Sequence, residues 1–347
     1  MTDSQKKNVL VIGGGAVGAI AALNLEKGGL AAVTVVLRSN YEVVNKSGYD
    51  IESCDHGVLK GWKPTHVRPN VPDISKEKIK PYDYIICTTK NIPDMPPSLS
   101  SLLSPALPYE NTTTVLVLIQ NGLNIEKPLQ DAFPTTPILS GVSLIGTAEI
   151  KPGKIVQDDH DRLLIGPFQN RSLASVSQIE ASLDFVKIYK AGGKTNCTYS
   201  PDVEHDRWRK LVYNACLNPI CAITGLDTGR IRLADGGIEG LVRPAMEEIV
   251  AAAKHKGVLL APDVVDVMID IDPLEIYLSP SMLADVNKGN YIEFENLLGE
   301  PLREGKELGV PMPTLEVLYN ICKTVQWRTK EARHLVEIPP KKSAVKS

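Results

Sequence analysis

Lys210, Asn214 and Asn218 stand at i, i+4 and i+8 in "RWRKLVYNACLNPICAITG", residues 207–225. Around them Leu211, Val212, Ala215, Cys216, Leu217, Ile220 and Cys221 are apolar. The pattern predicts an amphipathic helix. Residues four apart advance about 40° around it, so the three polar side chains drift slowly along one stripe. An ammonium can give a proton or a positive charge to an oxygen, and amides can hold a polar ligand. Periodicity alone equally fits a solvated face. Two details favour a shaped site. Exposed stripes favour Glu and Lys over Asn, a poor helix former. Pro219 is expected to disturb the helix just after Asn218 and to bias Asn218 away from α geometry.

A second group lies near the amino terminus. "NVLVIGGGAVGAIAALNLEKGG" begins with the apolar run Val9–Ile12 and continues as G-x-G-x-x-G through Gly13, Gly15 and Gly18. A helical pattern follows and stops at Gly28-Gly29. Strand, tight turn and helix form the setting in which these glycines bind a dinucleotide. Gly13 permits the turn, Gly15 lets a pyrophosphate approach the backbone, and Gly18 lets helix and strand pack closely. The amides of the helix start, Ala16 and Val17 among them, then face the phosphates. The next strand, "AAVTVVLRSN", ends without the acidic residue that holds an NAD ribose. Arg38 stands there instead, and a guanidinium suits a 2′-phosphate, so the expected cofactor is NADP(H).

Two further buried-strand candidates end at Lys90 ("YDYIICTTK") and at Asn121-Gly122 ("TTVLVLIQNG"). Ligands of an open parallel sheet bind beyond the carboxyl ends of its strands. Gly13, Arg38, Lys90 and Asn121 therefore converge on one crevice. Asn121 can hydrogen-bond a nicotinamide or a substrate, and Lys90 can pair with an anion.

These residues need two kinds of scaffold. The expected fold class is α/β: a Rossmann-type doubly wound sheet followed by an all-helical domain. "PILSGVSLIG", "GKIVQDD" and "DRLLIGPF" look like further strands, and "VSQIEASLDFVKIYKAGG" like a helix. "TNCTYSPDV" is turn-rich and suggests a boundary near residue 200. Beyond it helical periodicity takes over, with Pro301 expected to break or kink one helix. The expected domains are 1–200, 201–332 and a disordered basic tail over 333–347. The Pro- and Ser-rich residues 91–114 are read as a loop around one short helix.

Composition fits this plan. The chain has 347 residues, 43% hydrophobic and 23% charged, with a formal net charge of −3. Such a balance gives no reason to expect nucleic acid or an anionic membrane as partner. No apolar run reaches the roughly 18 residues that span a bilayer, and no signal peptide is apparent. The six cysteines form no C-x-x-C pair and no zinc spacing is evident, so no metal is expected. A reducing, cytoplasmic setting fits them.

The chain resembles ketopantoate reductases (2-dehydropantoate 2-reductases) over nearly its whole length. The resemblance rests on "VIGGGAVG", Arg38 after strand two, "TTK" ending at Lys90, "IQNG" with Asn121, "RWRKLVYNACLNP", and "SPSML" followed by "YIEFEN". It implies NADPH-dependent reduction of 2-dehydropantoate to pantoate. By the same resemblance Lys210 is the general acid, and Asn214 and Asn218 bind the substrate. Glu293 binds the substrate hydroxyl and partners the lysine, and Ser281 binds the substrate carboxylate. Lys90 and Asn121 contact cofactor and substrate. Structural alternatives remain, with Glu293 in a capping-box variant behind Asn290 and Ser281 as part of a helix start.

Some positions depart from the family pattern. Leu298-Gly299 stands where Asn-Gly is frequent, "NIPD" follows Lys90, and the 91–114 segment is long. These leave open another 2-oxo acid or a bulkier carbonyl compound as the small-molecule substrate, and a homodimer as the assembly. Two other readings stand beside the reductase: a non-catalytic NADP(H)-binding sensor and a flavin enzyme. The presence of Lys210 and Glu293 disfavours the first, and Arg38 in place of an acid disfavours the second.

Overall fold

The structure, a computed structural model, describes residues 6–107 and 113–340. It divides into two compact units, Met1–Lys210 and Leu211–Ser347, and the division falls inside the helix Val203–Asn214.

Among its described residues the first unit has twelve strands: β1 (Lys7–Ile12), β2 (Ala31–Val36), β3 (Tyr49–Ser53), β4 (Gly57–Trp62), β5 (His66–Arg68), β6 (Tyr84–Cys87), β7 (Val115–Leu118), β8 (Ile138–Leu144), β9 (Thr147–Lys151), β10 (Lys154–Gln157), β11 (Arg162–Pro167) and β12 (Asn196–Tyr199). Eight make the main sheet, in the order β12-β11-β8-β7-β6-β1-β2-β5. All its neighbours run parallel except β11 against β8. The central strands are buried on both faces, which is why they read as continuous apolar runs. Alternation still sorts their side chains. Val9 and Val11 pack with Leu23, Leu25, Phe185 and Tyr189, whereas Leu10 and Ile12 pack on the other face with Leu103, Ile125 and Leu129. Helices thus cover both sides of the sheet, the doubly wound Rossmann-type plan.

A second, four-stranded sheet runs β4-β3-β10-β9. β3 and β10 are parallel although about a hundred residues apart. The turn-rich stretch near residue 200 includes β12, the edge strand beside β11. Within the long Pro- and Ser-rich segment a helix forms at Leu99–Leu103 and a 3-10 turn at Ser104–Ala106. Residues 108–112 of that segment lie outside the described residues, as do residues 341–347 of the expected tail; residues 337–340 carry no regular structure.

The second unit is helical. The stretch that opens at Arg207 is two helices, Val203–Asn214 and Leu217–Thr224. The expected disturbance just after Asn218 is corrected here. The break sits at Ala215-Cys216, and Asn218 is helical. A proline ring clashes with the carbonyl four residues back, so Pro219 displaces the break one turn upstream. It then occupies the first turn of the next helix, where no N–H is needed. Pro244 and Pro301 are accommodated differently. Each lies just inside an α-helix, Arg243–His255 and Glu300–Glu307, that continues from a π turn, Ile238–Val242 and Glu295–Gly299. The wider turn ahead of each proline relieves the same clash, so Pro301 does not end its helix.

Cys54 is exposed and the other five cysteines are buried. Burial pushes the thiols of Cys87, Cys197, Cys221 and Cys322 up to about 12, and Cys216 well above its usual range. Thiolate is the reactive species. Iodoacetamide at neutral pH is therefore expected to modify the native protein at Cys54 alone, and all six sites in denaturant. Native labelling at any buried site, read by peptide mass spectrometry, would contradict this packing.

Candidate active site

The glycine turn follows β1 directly. Gly13 has φ +101°, and a Cβ there would meet the Thr89 backbone nitrogen at 2.8 Å. A Cβ on Gly18 would collide with the Gly13 carbonyl, whereas one on Gly15 would meet nothing within 4 Å. The turn is thus closed towards the sheet and open above Gly15. The helix Ala16–Lys27 that leaves it has no side-chain cap and no acid in its first turn. Its first amides, those of Ala16 and Val17 included, present the positive end of a helix to that open space. These residues fit a dinucleotide pyrophosphate.

Three side chains brace the turn. Thr88 Oγ1 donates to the Gly13 carbonyl at 2.5 Å. The Gly14 carbonyl accepts from Asn40 Nδ2 at 2.9 Å and from Tyr49 Oη at 2.8 Å. Burial, aided by Glu149, pushes the Tyr49 phenol well above its usual range, so it stays a donor. Arg38 is exposed just beyond β2, and Lys90 is exposed beyond β6.

Asn121 follows β7, and its Oδ1 accepts from Lys210 Nζ at 2.7 Å. The same ammonium donates to the Ser143 carbonyl at 2.5 Å. The half-buried lysine is thus held at the strand-end side of the dinucleotide-binding unit. One turn earlier on its helix, Arg207 is buried in an ion pair with Glu126, Nε to Oε1 2.9 Å. Sequence reasoning missed Arg207, Glu126, Asn40 and Tyr49. Arg207 stands next to Trp208 in a charged run that reads as solvated, and nothing local marks its partner.

In the helical unit Asn214 is half-buried at the end of its helix, and Asn218 is 3% exposed in the next. Ser281 is the exposed first residue of the helix Ser281–Asn287, directly after its N-cap, Pro280. That helix packs on Leu217–Thr224, so the elements bearing Asn218 and Ser281 are neighbours. Glu293 is 5% exposed and immediately precedes a helical segment that starts at Phe294. A capping box behind Asn290 would need Glu293 as the third residue of the helix, and Glu293 stands before its first. The segment leading to Glu293 is fixed by the Ile292 amide donating to Gln326 Oε1 at 3.0 Å.

Away from these residues, Cys54, Asp55 and His160 place three potential metal-ligand atoms within 4.8 Å of one another. Asp55 is already engaged there. It pairs with His160 Nδ1 at 2.5 Å and accepts from the Asp161 amide at 2.9 Å and from Gln157 Nε2.

Comparison with known proteins bears on the whole chain. Residues 9–170 match the family "Ketopantoate reductase PanE/ApbA", and residues 202–326 match "Ketopantoate reductase PanE/ApbA C terminal". The chain is 38% identical to the uncharacterized protein YDL144C of Saccharomyces cerevisiae, covering 96% of this chain and 97% of that one. Its fold is similar to the crystal structure of 2-dehydropantoate 2-reductase from Methylococcus capsulatus, with TM-score 0.75 and 30% identity over 93% of this chain and 97% of the other. D-mandelate dehydrogenase, solved with NADH and anilino(oxo)acetate, shares the fold at TM-score 0.78 and 18% identity, covering 93% and 99% of the two chains. With both of its units matched, and with the glycine turn and the lysine helix in place, the chain belongs to the ketopantoate reductase family of oxidoreductases.

Proposed function

We propose that this protein is an NADPH-dependent reductase of a 2-oxo acid, converting 2-dehydropantoate to pantoate. The observation that carries the reading is the Lys210 ammonium, half-buried and anchored on Asn121 at 2.7 Å beside the nucleotide-binding strand ends. When bound, the cofactor supplies the hydride. As C2 gains it, the carbonyl π pair moves onto oxygen, and Lys210 gives that oxygen a proton from Nζ. The lysine is left neutral and regains its proton from solvent. Before transfer, its positive charge favours the developing alkoxide. Asn121 and the Ser143 carbonyl fix Nζ through two hydrogen bonds. The turn made by Gly13, Gly15 and Gly18 takes the pyrophosphate on the open amides at Gly15, Ala16, Val17 and Gly18, the Gly13 amide being held by the Val36 carbonyl at 3.1 Å; Arg38 takes the 2′-phosphate, and Lys90 and Asn121 the nicotinamide end. Asn214, Asn218 and Ser281 are assigned to the substrate, Ser281 to its carboxylate, and Glu293 to its hydroxyl and to Lys210.

The test is NADPH oxidation with 2-dehydropantoate, a smaller 2-oxo acid, an aromatic 2-oxo acid and a ketone without a carboxylate. The expected order of kcat/KM puts 2-dehydropantoate first and the carboxylate-free ketone last. A charge-assisted hydrogen bond contributes about 1.5–3 kcal/mol, which separates the two ends by at least about tenfold. A different ketone at the top would reassign the substrate. NADPH binding without turnover of any of them would favour the sensor reading.

A further inference from the structure

Arg207 precedes Lys210 by one helical turn, on the same helix. Its side chain is 7% exposed and that of its partner Glu126 is 1% exposed. Every arm of the guanidinium is used. Nε reaches Glu126 Oε1 at 2.9 Å and donates to Ser140 Oγ at 2.6 Å. Nη1 donates to the carbonyls of Gln120, at 3.1 Å, and Gly122, at 2.9 Å. Nη2 donates to the Gly141 carbonyl at 3.2 Å. Ser140 Oγ closes the network by donating to Glu126 Oε1 at 2.6 Å. The two carbonyls held by Nη1 belong to the residues on either side of Asn121.

We propose that Arg207 is a positioning residue. It fastens residues 120–122 to the lysine helix and so sets where Asn121 Oδ1 meets Lys210 Nζ. Glu126 is the counter-charge that lets the guanidinium occupy this buried place. The inference rests on the reductase reading with Lys210 as proton donor. A lysine cannot substitute, because a tetrahedral point charge cannot reach two carbonyls of one loop, a third on β8 and a carboxylate together. Loss of the clamp leaves every group that touches substrate in the chain but frees the loop. A misplacement of about 1 Å is enough to cost about 10²-fold in rate.

The distinction to draw is between positioning and mere support of the fold. Replacing a buried ion pair by apolar residues of similar size is often neutral for stability. The double variant Arg207→Met/Glu126→Leu removes both charges together but leaves the carbonyls of Gln120, Gly122 and Gly141 without this donor, so it is expected to melt below the parent while still binding NADPH in its folded form. Its kcat should fall by about 10- to 100-fold with little change in KM. Hydrogen exchange at the amides of residues 120–122 should speed up. Arg207→Lys, which keeps the charge opposite Glu126, should show the same split between kcat and KM and decides the question if the double variant does not fold. Parental kcat in a folded variant overturns the proposal. If the parent itself reduces no 2-oxo acid, the reductase reading falls separately. Exchange at residues 120–122 then decides the clamp alone, and an unchanged rate overturns it.

Discussion

Lys210→Met is expected to lower turnover by about 10²- to 10⁴-fold, the range a positioned general acid contributes, while NADPH affinity stays close to the parent's. Methionine keeps most of the aliphatic stem and removes the ammonium. The groups assigned to the pyrophosphate and the 2′-phosphate are untouched: the glycine turn is braced by Thr88, Asn40 and Tyr49, not by Lys210. The substitution does leave Asn121 Oδ1 and the Ser143 carbonyl without this donor. Such a loss costs about 1–3 kcal/mol in stability. A stability cost of that size does not reduce turnover well below the melting transition, so thermal midpoint and kcat measured on one preparation separate the two effects. The expected result is a modest shift in the first and a collapse of the second. Turnover at the parental level in a folded variant would remove Lys210 from the chemistry. Proportional loss of NADPH binding would instead place the lysine in the nucleotide site.

The parts of this site that the sequence discloses are those whose physics is local. Gly13, Gly15 and Gly18 are legible because strand, turn and helix follow one another within about twenty residues and each glycine answers a distinct steric demand. Asn121 and Lys90 are legible by topology, since β7, β6, β1 and β2 are adjacent parallel strands whose carboxyl ends share one edge. The four-stranded sheet is not legible. β4 is half-exposed with no buried residue, and β3 finds its parallel partner far along the chain. Tyr49, which braces the glycine turn from β3, is hidden for the same reason. Arg207 and Glu126 are charged residues, and charged residues belong on the surface by default. Only the fold shows that five acceptors surround that guanidinium. The helix break at Ala215-Cys216 was open to inference, because the proline clash acts four residues upstream and not at the preceding residue alone.

Arg38→Ala is expected to lower the ratio of kcat/KM for NADPH over NADH by about 10- to 100-fold, through loss of NADPH efficiency and not through gain with NADH. A hydrogen bond to a charged group contributes about 1.5–3 kcal/mol, and a guanidinium offers a phosphate two in parallel. The strand end that carries this side chain is held in place. Asn40, two residues on, ties the end of β2 to the Gly14 carbonyl, so the strand end and the phosphate turn keep a fixed relation. A second arginine lies nearby on β5, but Arg68 is engaged in an ion pair with Glu77, while its carbonyl accepts the Leu37 amide at 2.9 Å. Arg38 is exposed and is the better candidate for an incoming anion. Salt supplies an independent check. An exposed ion pair is screened over about 8 Å at physiological ionic strength and over about 3 Å at 1 M. The preference for NADPH should therefore shrink with added salt in the parent and stay nearly flat in Arg38→Ala. A ratio unchanged by the substitution would mean that another group reads the 2′-phosphate, and the same pair of measurements on Arg68→Ala would then show whether Glu77 releases its partner when the nucleotide arrives.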